Sequence, residues 1–233
     1  MTWIKICGTT NLDDALIAVE AGADAVGFVF YGKSPRNITA EKAREIVEKL
    51  PENVEKVGVF VGETAETLRE ISEKAELTIV QAYPDFGSPL STPNDRFLEE
   101  TSYRVIVALS ATQLQHEESD DPDVITGFRV SDRFRNRIAA VLLDSGTSSV
   151  RGGTGKTFEW QSVVPMTDLM GRAGLKLIVA GGLTAGNVGD AIRTLTPWGV
   201  DVASGVEARP GKKDPEKVRS FVKAVREMDR KAN

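Results

Sequence analysis

Among its 233 residues this chain has one cysteine, Cys7, and one histidine, His116. A single thiol cannot close an intrachain disulfide, and nothing in the cysteine usage points to an oxidising compartment. Long apolar runs are missing as well: no stretch approaches the roughly 18 residues that a membrane span needs. Basic clusters are also absent. Lys and Arg total 29 against 34 Asp and Glu, a net charge of −5, and the cations are scattered, which argues against a nucleic-acid partner. The first residues run straight into the alternation Trp3-Ile4-Lys5-Ile6 without a basic leader or a small-residue cleavage site, so a cytoplasmic protein is expected.

Two nucleotide signatures fail on inspection. Gly153-Thr154-Gly155 is followed by Phe158 where a dinucleotide fingerprint needs its last glycine. Gly155-Lys156-Thr157 has the right end for a phosphate-cradling Walker loop, but Val150 stands where the first glycine belongs.

What is present is alternation. Short Val- and Ile-rich runs at Trp3–Cys7, Ala25–Phe30, Lys56–Val61, Thr78–Gln81, Arg104–Leu109, Ala139–Asp144, Lys176–Ala180 and Val200–Ser204 are separated by longer stretches of helical period. Helices are expected from Leu12, over Glu41–Leu50 and Ala65–Lys74, over Ala185–Leu195 behind Thr184, and from Asp214-Pro215 to about Met228. Repeated strand–helix units of this number predict an α/β chain folded as a single-domain (β/α)8 TIM barrel over residues 1–233. Gly22-Ala23-Asp24 and Gly199-Val200-Asp201 form a weak quasi-repeat joining helix ends to strands. Prolines and an acidic run break the period between 84 and 137, which reads as an irregular extended region of surface loops around the fifth strand.

Barrel enzymes place their chemistry at the C-terminal ends of the strands. Gly181-Gly182 after the seventh run and Ser204-Gly205 after the eighth let backbone N–H groups approach an anion, so a phosphosugar site is expected there, against the plainer reading of tight turns. Cys7 closes the first run beside Gly8. A partly exposed thiol near a helix N-terminus would have its pKa lowered toward neutrality, although a lone cysteine is more commonly buried and inert. Asp144 ends the apolar run Ala139–Leu143, where partial desolvation would favour a protonated acid; alternatively it caps the following loop. That loop, Ser145–Gly155, reads either as a lid or as a flexible linker. Arg36, on the proline-stiffened segment Lys33–Arg36, is placed to clamp a carboxylate or else lies solvated on the surface.

Taken in order, Lys5-Ile6-Cys7-Gly8, the stretch Gly22 to Phe30, Lys33-Ser34-Pro35-Arg36, Val57 to Val61, Leu143-Asp144, Gly153 to Phe158, Ala180-Gly181-Gly182-Leu183, Asp201 to Glu207 and Pro210 to Asp214 resemble the motifs of the phosphoribosylanthranilate isomerase family. The likeness covers residues 3–81 and 139–226. It implies a cofactor-independent, metal-free Amadori rearrangement in tryptophan biosynthesis, with a small phosphosugar as substrate and a monomer or homodimer as the working form. It further implies Cys7 as general base, Asp144 as general acid and Arg36 as the contact to the anthranilate carboxylate, with Gln81 and Asp201 beside the substrate. Gly181, Gly182, Ser204 and Gly205 match the phosphate loops.

One motif departs from the family. Where the family reads Gln-Leu-His-Gly after the fourth strand, this chain has Gln81-Ala82-Tyr83-Pro84, and Tyr83 is open to a stacking role or a structural one. His116 lies in a polar loop and is not expected to replace the missing imidazole. Two rivals stand beside the main reading. One is the related isomerase of histidine biosynthesis, which is expected to carry an Asp in place of Cys7; the other is a phosphosugar-binding barrel without catalysis.

Overall fold

The computed structural model describes residues 1–83, 103–110, 124–125, 128–129, 136–144 and 160–232. His116, the glycine-rich loop Ser145–Gly155 with its neighbours to 159, and most of the region 84–137 lie outside the described residues.

Eight parallel strands close into a barrel: β1 (Trp3–Ile6), β2 (Ala25–Phe30), β3 (Glu55–Val61), β4 (Ile79–Tyr83), β5 (Arg104–Ser110), β6 (Ile138–Asp144), β7 (Leu177–Val179) and β8 (Gly199–Val202). Neighbours in sequence are neighbours in the sheet, and β8 pairs with β1 to close it, Lys5 standing opposite Asp201. Such strands are covered on both faces, which is why the sequence shows near-continuous apolar runs rather than clean alternation. The expected (β/α)8 barrel is the fold observed.

Among the described residues six α-helices flank the strands: α1 (Leu12–Ala21), α2 (Ala40–Val47), α3 (Ala65–Lys74), α4 (Val164–Arg172), α5 (Val188–Leu195) and α6 (Pro215–Ala232). Side-chain oxygens of Asn11, Thr39 and Thr64 accept the N–H three residues on, satisfying otherwise orphaned amides at the starts of α1, α2 and α3. The helix α6 turns Val218, Phe221, Val222 and Val225 inward at helical spacing, all buried, so its apolar stripe is what docks it. Truncating a buried Phe such as Phe221 costs about 3–5 kcal/mol in typical cores.

Several boundaries differ from expectation for local reasons. The second helix ends at Val47 instead of Leu50, because the chain tightens into short-range turns ahead of Pro51. The fifth helix begins at Val188, not Ala185. The Asn187 side chain accepts from the Thr184 N–H and donates to the Gly182 carbonyl, which holds 182–187 as a shaped loop. The fourth strand runs on to Tyr83, pairing Ala82 with Phe60 and Tyr83 with Val61. The last helix continues past Met228 to Ala232.

Candidate active site

Successive side chains of a strand alternate between the two faces, so one inward residue marks its neighbours two positions away as inward too. Ala25, Ile79, Ile106 and Leu142 belong to the core cluster inside the barrel. Two and four residues beyond Ile79 come Gln81 and Tyr83, and two beyond Leu142 comes Asp144. Lys5 is in register with both Ala25 and Asp201, which turns Lys5, Cys7 and Asp201 inward as well. The candidate site is therefore the top of the barrel interior, built on four strands.

Cys7 sits at the end of β1, its N–H bonded to the Val202 carbonyl at 2.8 Å. Only 6% of the residue is exposed, so the expected partly exposed thiol is corrected to a buried one. The expected lowering of its pKa is corrected too. Burial pushes the thiol up, the ammonium of Lys5 opposes this, Asp201 adds to it, and Lys213 opposes it further. The thiol has space because Gly27 stands beside it on β2; a methyl there would approach the sulfur to 2.8 Å. Gly8, which follows, has φ of +74°, and a side chain on it would strike the stem of Arg36 at 2.4 Å.

Asp144, 5% exposed, ends β6 as expected. The Tyr83 hydroxyl donates to its Oδ2 at 3.0 Å. Tyr83 is held well above the usual phenol range, first by burial and then by the charges of Asp144, Asp201 and Cys7. Strand alternation turns Cys7, Tyr83, Asp144 and Asp201 inward together, so the thiol and the two carboxylates share the top of the barrel interior. Tyr83 is thus a polar partner of Asp144.

Arg36 is neither solvated nor free to swing. Its Nε and Nη2 donate to Glu207 Oε1 and Oε2 at 2.9 and 2.7 Å, a two-pronged pair with both side chains mostly buried. Hydrogen bonding to Glu207 raises the guanidinium above its ordinary value, against the effect of burial. Glu207 in turn accepts from Lys213 at 3.1 Å, and the Lys213 ammonium also donates to the carbonyls of Cys7 and Ala203. A hairpin formed by Glu207–Arg209 and Lys212–Lys213 carries this network. It is clipped to the loop after β1 by Thr10 on the Gly211 carbonyl and to the first turn of α1 by Asp14 on the Lys213 N–H. The base, the arginine and the loop after β8 are in this way cross-braced.

The two glycine loops meet. Gly181 and Gly182 have φ of 86° and 64°, and Ser204–Val206 forms a short 3-10 turn. A Cβ on Gly205 would lie 1.8 Å from the Leu183 carbonyl oxygen, so only glycine lets the loops approach this closely. Thr184, Gly186, Ser204, Gly205 and Lys217 line a cleft of about 500 Å³ between these loops and α6.

Sequence reasoning missed Lys5, Glu207 and Lys213. For Lys5 the signal was available, since it lies two residues before Cys7 on an inward face. The ion pairs of Glu207 depend on contacts 171 residues apart with Arg36, which no local pattern encodes. Gln81 is 1% exposed and its Oε1 has no hydrogen-bond partner among the described residues. No helix among the described residues is long and apolar enough to cross a membrane.

A closed (β/α)8 barrel with the Cys7 thiol, the Asp144 carboxyl and paired glycine loops at the C-terminal ends of its strands places the chain among the (β/α)8-barrel enzymes. The family described as N-(5'-phosphoribosyl)anthranilate (PRA) isomerase matches residues 4–224. An N-(5'-phosphoribosyl)anthranilate isomerase of Pelobacter propionicus is 42% identical over 229 residues, 97% of each chain. The crystal structure of phosphoribosyl anthranilate isomerase from Thermotoga maritima superposes with a TM-score of 0.77 at 38% identity, covering 97% of this chain and 100% of that one. A phosphoribosyl anthranilate isomerase in complex with reduced 1-(o-carboxyphenylamino)-1-deoxyribulose 5-phosphate gives 0.74 at 36% identity, with the same coverage. This chain belongs to the N-(5'-phosphoribosyl)anthranilate isomerase family.

Proposed function

We propose that this chain converts N-(5'-phosphoribosyl)anthranilate to 1-(2-carboxyphenylamino)-1-deoxyribulose 5-phosphate, with Asp144 as general acid and Cys7 as general base. The observation that carries the reading is the shared compartment of these two residues at the C-terminal rim, next to the close-packed loops at Gly181-Gly182 and Ser204-Gly205. Asp144 delivers a proton to the furanose oxygen, the ring C–O bond breaks, and the nitrogen lone pair forms a protonated Schiff base. That cation acidifies the C2' hydrogen, which the Cys7 thiolate removes. The resulting enolamine takes a proton at C1' and relaxes to the ketone. Each proton transfer is worth about 10²–10⁴-fold in rate in comparable enzymes.

The 5'-phosphate is held by backbone N–H groups of Gly181, Gly182, Ser204 and Gly205. Arg36 uses its Nη1 edge for the anthranilate carboxylate, Glu207 having taken the other edge. Gln81 and Asp201 receive the sugar hydroxyls. The protein works in the cytoplasm on this small substrate, as a monomer or homodimer. Expression of the wild-type chain in a tryptophan auxotroph lacking this isomerase is expected to restore growth; no rescue by well-expressed, folded protein contradicts the reading.

A further inference from the structure

The interior of a (β/α)8 barrel is ordinarily filled by branched apolar side chains. Lys5 breaks that rule, being wholly buried on the inward face of β1. Its ammonium stands 3.0 Å from Asp201 Oδ1, a close ion pair, yet neither atom makes an aligned hydrogen bond to the other. Cys7 is two residues further on, just past the end of β1 and on the same face, and the lysine ammonium and the thiol bear on each other's charge. A buried charge of this kind is costly unless something at the site uses it.

The groups that face Cys7 from each packed element are Lys5 on its own strand, Asp201 on β8, Lys213 on the hairpin, Arg36 after β2 and Tyr83 on β4. Arg36 is engaged by Glu207, and Lys213 by Glu207 and two carbonyls. Among the described residues, Lys5 is the cation of this group whose charge is shared between one carboxylate and the thiol. Burial works against its ammonium, but Asp201 and then Cys7 raise its pKa above the ordinary value, which keeps it charged at neutral pH.

We propose that Lys5 is the fixed counter-charge of the Cys7 thiolate, steadied by Asp201, and is thereby a positioning residue for the proton abstraction. This rests on Cys7 being the base. The lysine does not touch substrate in this account; it stabilises the ionised sulfur in a buried place that otherwise disfavours it.

Cys7 is the sole cysteine, so alkylation by iodoacetamide reports this thiolate and no other. The test compares the alkylation rate from pH 6 to 10 in the wild type, Lys5→Met and Lys5→Arg, with folding checked by circular dichroism and thermal melting. Lys5→Met is expected to alkylate at least tenfold more slowly at pH 8. Its kcat at pH 7 should fall at least tenfold and recover as pH rises, with KM within about threefold. Lys5→Arg, which keeps the charge, is expected to recover most of both. Where Lys5→Met does not fold, Lys5→Gln removes the charge while retaining a donor toward Asp201 and gives the same readout. An alkylation profile unchanged in the folded neutral variants overturns the counter-charge, whatever happens to turnover. Slowed alkylation with unchanged kcat supports the counter-charge and overturns the role of Cys7 as base.

Discussion

The hydroxyl of Tyr83 donates a 3.0 Å hydrogen bond to Oδ2 of Asp144, linking the fourth and sixth strands at the rim of the barrel. Hydrogen bonds to charged groups contribute about 1.5–3 kcal/mol. With Asp144 as the proposed acid, Tyr83→Phe should therefore lower kcat by roughly 10-fold or more while moving KM little, since the phenol's contact is with that acid. Steady-state kinetics on freshly generated phosphoribosylanthranilate checks this, and unchanged kcat would show the contact to be incidental.

The bidentate grip of Glu207 on Arg36 predicts a split between two substitutions. Arg36→Ala should weaken binding of an anthranilate-bearing product analogue, with the larger effect on KM. Glu207→Gln should cost affinity and stability together, because it leaves Lys213 buried without its anion. Breaking a buried ion pair from one side costs about 3–5 kcal/mol, and the retained amide trims that figure. Calorimetric titration and chemical denaturation measure the two effects. Unaltered affinity in Arg36→Ala would remove the arginine from the substrate site.

The same carboxylate sets an acid limit. Burial acts to raise the pKa of Glu207, but Arg36 and then Lys213 outweigh it and leave it below the ordinary glutamate value. A group whose folded pKa is depressed stabilises the fold fully above its unfolded value, near about 4.3, and loses that contribution as pH falls toward the folded pKa. Wild-type stability should thus drop as pH falls below about 4.3, and Glu207→Gln should show a shallower drop across the same range. Equal slopes in denaturant melts at graded pH would contradict this.

Two glycines are predicted to act on different steps. Gly27→Ala puts a methyl 2.8 Å from the Cys7 sulfur, so the thiol must move and kcat should fall at least tenfold, the scale on which about 1 Å of misplacement is felt. Gly205→Ala collides with the Leu183 carbonyl instead, which should spread the two loops. Its signature is a raised KM and weaker competitive inhibition by inorganic phosphate. Identical kinetic signatures for the two variants would mean that the rim does not divide into a chemical and a phosphate part.

The barrel was legible because its strands are apolar on both faces and its helices carry Asn11, Thr39 and Thr64 at their starts. Cys7 and Asp144 were legible because each ends such a strand. The chemical environment of the thiol was not: a strand-end position does not reveal that Gly27, Tyr83 and the hairpin close over it. The hydrogen bond of Tyr83 to Asp144 was not legible, because the fourth strand was expected to end at Gln81, whereas two more residues of pairing carry the phenol inward. Lys5 was passed over because a lysine in an alternating run reads as solvent-facing, and in a closed barrel the inward face is also polar near the mouth. The brace from Arg36 through Glu207 to Lys213 joins distant parts of the chain and became visible only with the fold.

The most direct test is turnover by Cys7→Ser and Asp144→Asn, each confirmed to be folded, with freshly generated substrate. In the proposed mechanism both residues act mainly in the transition state, so kcat is expected to fall by about 10²-fold or more in each variant, with KM changed only a few-fold. Near-normal kcat in either folded variant would contradict the pairing of a thiol base with a carboxylic acid across the barrel mouth.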